Sequence, residues 1–451
     1  MSRTMQRAAT PVRRAATAPL AASRLAPAAR AAAAPARGAP RALGPKRQRS
    51  GQAKAAAAEP PAPSVALVEP LGQGIAEDVA RRAPHLVSDV TQGLNLKCLA
   101  AVCFMTFSCL APAVAFGSLL AVKTAGTMGA FEMIAGSALC GMAYALFCGQ
   151  PLTIIGSTGP VLAFTTILYS AATAQGLPFL PFYAWTGLWT AAILFVCAVT
   201  SASNLVKYLT RWTDEIFSAL ISAIFVFEAG KDLVGLLTSA TVPASKALLS
   251  VGLALTTFFL AMNLRTVRTT RYFNATVRNA VSDFGPTIAI LASAALGGLA
   301  VAKWGVALDF LQLPATLAPT TARPWLVDLF AAPVWVRWAA FVPAVMVSIL
   351  LFFDQNITTR LVNSKDNKMV KGEGYHLDML VMSVLTAVMS VLGLPWLIAA
   401  TVRSINHLKA LAVTEKTTAG GVEREVITGM TEQRVTGFGI HLAMGCCLLF
   451  G

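Results

Sequence analysis

The chain has 451 residues, of which 56% are hydrophobic and only 13% are charged. A soluble globular domain carries about 25% charged residues, so this composition excludes an ordinary soluble enzyme or binding domain. The apolar residues form many runs of about 20 residues, the length that spans a bilayer as a helix. The sequence therefore predicts an all-α polytopic membrane protein.

The net charge of +15 comes from one end of the chain. Residues 1–58 contain twelve Lys or Arg and no Asp or Glu, whereas the remainder has 24 basic and 21 acidic residues. We therefore expect no nucleic-acid partner. The tail is rich in Ala, Arg, Pro and Ser, which is typical of organellar transit peptides. This favours the chloroplast envelope, with the plasma membrane and the mitochondrial inner membrane as alternatives. A disordered basic tail beside an anionic membrane is the other interpretation.

A linker at 59–74 and an amphipathic interfacial segment at 75–97 follow the tail. Residues 412–433 are polar and predict a loop, with or without a short helix. The apolar segments that we expect to lie in the membrane are 97–122, 128–147, 150–170, 183–206, 213–237, 246–264, 284–302, 336–357, 376–395, 396–411 and 434–451.

Basic residues are concentrated in loops that alternate with poorly charged ones. Ten of the 24 basic residues after position 58 lie at 207–211, 264–280 and 358–375, which fall on one side if 150–170 and 396–411 each cross the membrane. The positive-inside rule places these loops and the N-terminus in the cytosol or stroma.

Two apolar segments, Gly149–Phe164 and Leu394–Leu411, are interrupted in the same way. In each, an apolar stretch leads to small polar residues and then to a short helix. Broken helices at equivalent places in two halves are typical of inverted-repeat transporters, here with seven segments per half. The second half stops early, because the chain ends within what would be its fifth segment. We therefore expect a fold that is truncated after about 12 segments.

The two half-helices would meet near the middle of the membrane. Each N-terminus contributes roughly +0.5 elementary charge and unpaired N–H groups. Arg403 lies one turn into the second half-helix, and an arginine in mid-membrane costs roughly 2.5–3.5 kcal/mol unless it is compensated. Its planar donor fork suits an oxyanion such as bicarbonate. The residues predicted to donate hydroxyl groups or to let the backbone approach the anion are Ser157, Thr158, Gly159, Thr401 and Ser404.

Asp354 ends a long apolar run, so its carboxylate needs a partner. It could pair with Arg403, take a proton or bind Na⁺, or it could be a solvated interfacial residue. Arg403 could equally snorkel to the interface, and Ser157 and Thr158 could cap a helix. His407 is more typical of a packing residue than of a ligand. Because no Cys or His spacing fits a metal site, we expect no cofactor and no metal.

Nine short motifs carry a resemblance to a known family. They are Ser88–Asp89, Ala111–Gly117, Gly149–Leu152, Ser157–Pro160, Phe353–Thr358, Lys371–Asp378, Gly393–Trp396, Ala400–Ser404 and Thr431–Gly437. In these residues the chain resembles the bicarbonate transporter and anion exchanger family of solute carriers. The resemblance covers about 75–451.

The resemblance implies a 7+7 inverted-repeat transporter fold with a core domain that moves against a gate domain, and a homodimer. The core would comprise about 97–206 and 336–433, and the gate about 213–302 and 434–451. By motif match, the substrate site would comprise Ser157, Thr158, Gly159, Pro160, Asp354, Thr401, Val402, Arg403 and Ser404, with Asp354 also serving a coupling ion or proton.

The resemblance gives two opposite indications about coupling. Arg403 in its motif is similar to sodium-independent exchangers, whereas Asp354 is similar to the sodium-coupled members. We favour sodium-independent exchange of bicarbonate for chloride by alternating access, which is transport and not enzymatic catalysis. The alternatives are sodium-coupled bicarbonate cotransport, borate export and, from another class, a truncated membrane interaction protein that does not transport. The expected partners are thus bicarbonate, chloride, Na⁺ or borate as alternatives, the lipid bilayer and a second copy of the chain.

Overall fold

A computed structural model describes residues 70–208, 211–240, 242–308, 318–321, 323–419 and 422–450. The predicted basic tail and residues 59–69 of the predicted linker lie outside these ranges. The described part begins with two short helices, α1 (Gln73–Arg82) and α2 (Leu86–Thr91). They occupy the segment that its polar, amphipathic sequence predicts to lie at the interface.

Most of the remaining helices follow the apolar segments closely. In chain order they are α3 (Leu96–Lys123), α4 (Ala130–Phe147), β1 (Ile155–Gly156), α5 (Gly159–Ala174), α6 (Phe179–Val199), α7 (Arg211–Thr238), α8 (Ala244–Thr266), α9 (Ala275–Asp283), α10 (Gly285–Trp304), α11 (Val334–Ala339), α12 (Phe341–Val362), α13 (Tyr375–Leu392), β2 (Ile398–Ala399), α14 (Thr401–Leu411), β3 (Ala412–Ala419), β4 (Val422–Met430) and α15 (Val435–Phe450). Within the described ranges, seven helical stretches are long and apolar enough to cross a membrane.

Both interrupted segments consist of an extended stretch followed by a half-helix. The strands β1 and β2 precede α5 and α14, and they pair antiparallel, with Ile155 opposite Ala399 and Gly156 opposite Ile398. Antiparallel pairing means that the two half-helices start from the same place and run in opposite directions. This is the arrangement that inverted repeats produce.

The largest buried cluster is shared by the helices on either side of this crossing. α6 packs against α13, and α15 packs against α3 and α4. Ile440 and Met444 of α15 lie in the same apolar cluster as Met105, Tyr144 and Met389. Residues 434–451, which the sequence predicts to belong with the gate, thus form a helix that packs within this cluster. Its apolar face is buried against the first helices of the chain.

The helices α7, α8 and α10 form a separate group, in which α8 packs mainly against α10. Their large apolar side chains are largely exposed, including Val226, Phe258 and Leu299. In a bilayer such a surface faces lipid or another protein, because exposing these apolar side chains to water would cost free energy.

The polar stretch after α14 differs from the prediction. Residues predicted as a loop form an antiparallel hairpin, in which β3 pairs with β4 from Ala412 opposite Met430 to Ala419 opposite Val422. The stretch is rich in Val, Ile and Thr, which favour strands, although its charged residues indicated a loop.

Candidate substrate site

The half-helix α5 begins where an extended chain meets two residues that fit a helix start. Thr158 is the N-cap with extended dihedral angles, Gly159 is the first helical residue, and Pro160 lies in the first turn. Proline suits this position because it has no N–H to leave unpaired and its φ is already helical. The Thr158 hydroxyl makes no capping hydrogen bond, so it is available for other partners.

The half-helix α14 is tied to the first broken segment by main-chain and side-chain bonds. The N–H of Ala400 donates to the carbonyl of Ile154 at 2.8 Å. The Ser404 hydroxyl accepts from the N–H of Ile154 and donates to the carbonyl of Ala400, each at 2.9 Å. Ser404 is therefore a residue that joins the two segments.

Arg403 lies at the junction of the two half-helices and is 8% exposed. Its Nη2 donates a hydrogen bond to the main-chain carbonyl of Ser157. Among the residues that the structure describes, this is its one hydrogen-bond partner, and no carboxylate forms an ion pair with it. A guanidinium has five N–H donors, so most of them remain for a ligand.

Gly156 leaves the space that the guanidinium occupies. A Cβ on this residue would lie 2.8 Å from Cζ of Arg403 and closer still to Nη1. Real Cβ atoms do not approach other heavy atoms this closely, so any larger residue would displace the arginine. The sequence did not indicate this role, because the contact joins residues that are far apart in the chain.

Asp354 lies on α12, is 3% exposed and faces the start of α5. The Thr158 hydroxyl donates to its Oδ2 at 3.3 Å. The predicted pairing of Asp354 with Arg403 is not formed, since both residues are described and no ion pair joins them. The site thus contains a positive group on α14 and a negative group on α12, and both bond to the start of the first half-helix, at Ser157 and Thr158.

Two residues at the junction, Thr358 and Gln355, were not predicted as site residues. The hydroxyl groups of Thr358 and Thr401 lie 2.6 Å apart and link α12 to the start of α14. Gln355 donates to the Tyr144 hydroxyl at 3.0 Å and accepts from the N–H of Ala399 at 3.3 Å. Both residues lie in the motif that contains Asp354, which was the available signal.

The remaining predicted residues have different surroundings. Ser157 is 2% exposed, and its hydroxyl has no hydrogen-bond partner among the residues that the structure describes. Val402 is 74% exposed and lies outside the enclosed part of the junction. His407 is buried, and its two nitrogens are bonded to the Leu152 carbonyl at 2.9 Å and to the Thr436 hydroxyl at 2.6 Å. His407 therefore holds the segments together, as the packing interpretation predicts.

The chain between α13 and β2 is fixed by aromatic packing. Gly393 ends α13 in the left-handed conformation, with φ +61°. The ring of Trp396 stacks on Tyr183 of α6, with centroids 4.0 Å apart, and its Nε1 donates to the Ser390 hydroxyl at 2.8 Å. The Tyr183 hydroxyl also accepts from the N–H of Trp396 at 2.9 Å. These contacts hold the extended stretch in place before α14.

Two half-helices that start from one paired crossing inside a bundle of spanning helices define a membrane carrier of the broken-helix type. The comparisons with known proteins agree with this class. The family model for the HCO3- transporter integral membrane domain matches residues 70–247 and 237–451, so the chain belongs to this family. The family consists of transporters and not of enzymes.

Similar proteins include anion exchange protein 3 of Danio rerio, which is 37% identical over 408 residues, covering 83% of this chain and 34% of that protein. Sodium bicarbonate cotransporter 3 of Homo sapiens is 37% identical over 442 residues, covering 82% of this chain and 36% of that protein. The chain thus spans about a third of the length of these relatives.

Among solved structures, the chain resembles the transmembrane domain of a cyanobacterial bicarbonate transporter, BicA. The TM-score is 0.50 at 14% identity, covering 79% of this chain and 90% of that one. This likeness concerns the fold. It confirms the predicted helical, inverted-repeat transporter fold.

Proposed function

We propose that the protein transports bicarbonate by alternating access, in sodium-independent exchange for chloride. The observation that carries the proposal is the buried guanidinium of Arg403, which uses one N–H for the Ser157 carbonyl. The unpartnered hydroxyl of Ser157 lies in the same segment. A planar anion with three oxygens can accept from several donors of this kind at once.

We infer sodium-independent exchange from the positive charge that the protein itself supplies. Arg403 and the two half-helix N-termini supply positive charge within an enclosed site, where electrostatic interactions are stronger than in water. A monovalent anion that binds there is neutralised by the protein itself. No cation is needed for its passage, and chloride satisfies the same charge on the return step.

A second candidate is sodium-coupled bicarbonate transport, and Asp354 is the observation that favours it. Its buried carboxylate accepts from the Thr158 hydroxyl and has no basic partner within the described ranges. Carboxylate and hydroxyl oxygens are the ligands that hard cations prefer. In this alternative, Na⁺ would offset the charge of Asp354 while Arg403 holds the anion.

The test is uptake of labelled bicarbonate into proteoliposomes that contain trapped chloride, with and without Na⁺, and with boric acid as a competitor. We expect uptake to need internal chloride and to be unchanged by Na⁺. Uptake that requires Na⁺ would establish the second candidate. Competition by boric acid at equal concentration would indicate borate transport instead.

The Arg403→Gln variant tests the site, and Lys409→Gln is its matched control. Lys409 is an exposed cation on the same half-helix, two turns further on. We expect Arg403→Gln to lower uptake by about a hundredfold, the value of roughly two charged hydrogen bonds, and Lys409→Gln to leave it unchanged. Ordinary uptake by Arg403→Gln would refute the assignment. No uptake by the wild-type protein under any condition would favour an interaction protein that does not transport.

We further propose that the core domain comprises α3–α6 and α12–α15 and that α7–α10 belong to the gate. This modifies the domain prediction at α15 only and rests on its packing against α3 and α4. The exposed apolar side chains of α7, α8 and α10 support a homodimer built on the gate. The protein is an integral membrane protein, and the basic, acid-free residues 1–58 support the chloroplast envelope as its location.

A further inference from the structure

An apolar groove of about 650 Å³ lies between α1, α4 and α13, away from the candidate substrate site. This volume is within the range of about 300–1,000 Å³ for small-molecule sites. Its walls are made by large apolar side chains, several of them half exposed: Val79, Leu146, Phe147, Leu380, Val381 and Val384.

Two arginines, Arg82 and Arg434, also line the groove, and no acidic residue is among the described residues that line it. Arg82 is 2% exposed, and its Nε has no hydrogen-bond partner within the described part of the chain. Its other contacts are long, at 3.4 Å to the Lys371 carbonyl, 3.5 Å to Asp89 and 3.8 Å to Glu432. Leaving a charged donor buried and poorly bonded is costly unless a ligand completes its bonds.

Arg434 shows what a fully bonded arginine looks like in the same place. It contacts Asp89 at 2.9 Å and the carbonyls of Ala145 and Cys148 at 3.0 and 2.7 Å. Nζ of Lys371 donates to the other carboxylate oxygen of Asp89 at 2.7 Å. The cluster therefore has three basic side chains and two acidic ones, which leaves one positive charge in excess, and Arg82 is its loosely held member.

We expect the polar end of the groove to lie at the membrane boundary. Arg82 ends α1, which lies at the predicted interface, and Cys148 follows the last residue of α4. Along α13, the groove runs from Leu377 to Leu385, which is about 12 Å at 1.5 Å per residue. This end belongs to the side of the predicted basic loops, where anionic lipids are concentrated.

We propose that this groove binds one anionic phospholipid, with its phosphate on Arg82 and an acyl chain along α4 and α13. The phosphate accepts from the Arg82 guanidinium in place of its long contacts and offsets the excess charge. The acyl chain covers the apolar walls. Both parts of the ligand are needed, because the groove combines a single charged end with a long apolar surface.

The test is native mass spectrometry of the purified full chain titrated with dioleoyl phosphatidylglycerol or dioleoyl phosphatidylcholine. Val384→Trp fills the groove without touching the charge cluster. Val388→Trp is its matched control, because Val388 is a partly exposed valine one turn further along α13 and does not line the groove. Arg82→Gln removes the charged end, and its control is Arg81→Gln, the neighbouring residue on α1. Inorganic phosphate is added as a competitor.

We expect phosphatidylglycerol to bind about tenfold or more tightly than phosphatidylcholine, as one charged hydrogen bond provides. Val384→Trp weakens its binding about tenfold, whereas Val388→Trp and Arg81→Gln do not. Arg82→Gln reduces it to the level of phosphatidylcholine. If Arg82→Gln does not fold, Val384→Trp still decides the proposal. Equal binding of the two lipids, equal effects of the two tryptophan variants, or displacement by equimolar inorganic phosphate would each overturn it.

Discussion

The replacement Gly156→Ala tests whether the position of Arg403, and not only its charge, determines anion binding. The added Cβ would lie 2.8 Å from Cζ of the guanidinium, whereas carbon atoms in contact are about 3.5–4.0 Å apart. The guanidinium must therefore retreat by roughly 1 Å, which displaces its donors and weakens its bond to the Ser157 carbonyl. The atoms that yield are at the end of a flexible side chain, so the fold should survive.

The expected loss follows from that single bond. A hydrogen bond of a charged group contributes about 1.5–3 kcal/mol, which corresponds to about a tenfold to hundredfold change in affinity. We expect the half-saturating bicarbonate concentration for uptake into proteoliposomes to rise by this factor. Membrane insertion and the thermal unfolding temperature should change little.

The matched control is Gly298→Ala on α10, where a Cβ would meet no atom within 4 Å. A second comparison places Gly156→Ala in the Arg403→Gln background. There the added methyl group should have little further effect, because the group that it displaces is gone. Ordinary half-saturation in Gly156→Ala, or a full additional loss in the double variant, would refute the reasoning.

Two further predictions concern the contacts that α1 and α2 make with the rest of the fold. Asp89→Asn should lower the free energy of unfolding by about 3–5 kcal/mol, because Lys371 and Arg434 would be left buried without their carboxylate. Thermal unfolding in detergent measures this loss. The control Asp366→Asn, at an exposed residue, should leave the unfolding temperature unchanged. Burial raises the pKa of Asp78, although the N–H groups of Leu377 and His376 and the charges of His376 and Arg81 act in the opposite direction. Because its folded-state pKa exceeds its unfolded-state pKa, stability should fall as pH rises through the interval between the two values. In Asp78→Asn, the unfolding temperature should vary less with pH over this interval. An unchanged pH profile would contradict this prediction.

Hydropathy predicted the helices because a helix that spans a bilayer needs a run of about 20 apolar residues. The run predicted at 376–395 is α13 at Tyr375–Leu392, and the run predicted at 284–302 is α10 at Gly285–Trp304. The breaks at Gly149–Phe164 and Leu394–Leu411 were also predictable, since Gly, Pro and small polar residues interrupt otherwise apolar runs. The half-helices begin at Gly159 and Thr401, close to where the small polar residues end.

Contacts between distant residues could not be predicted in the same way. Asp89 meets Lys371 and Arg434 across more than 280 positions of the chain. Nothing in the sequence says which opposite charges meet when many are available. The partner of Arg403 was also missed, because it is a main-chain carbonyl and every residue has one. An isolated acidic residue such as Asp354 is easily recognised in a sequence as a possible partner, whereas a particular main-chain carbonyl is not.

The pairing of β1 with β2 has a consequence for how such a site can change. Its bonds join backbone to backbone, as in the link from Ala400 to Ile154, so they are independent of side-chain identity. We therefore expect this frame to persist when side chains at the helix starts are replaced. If the proposed function holds, one or two substitutions at the helix starts should change substrate preference or ion coupling and leave this scaffold intact.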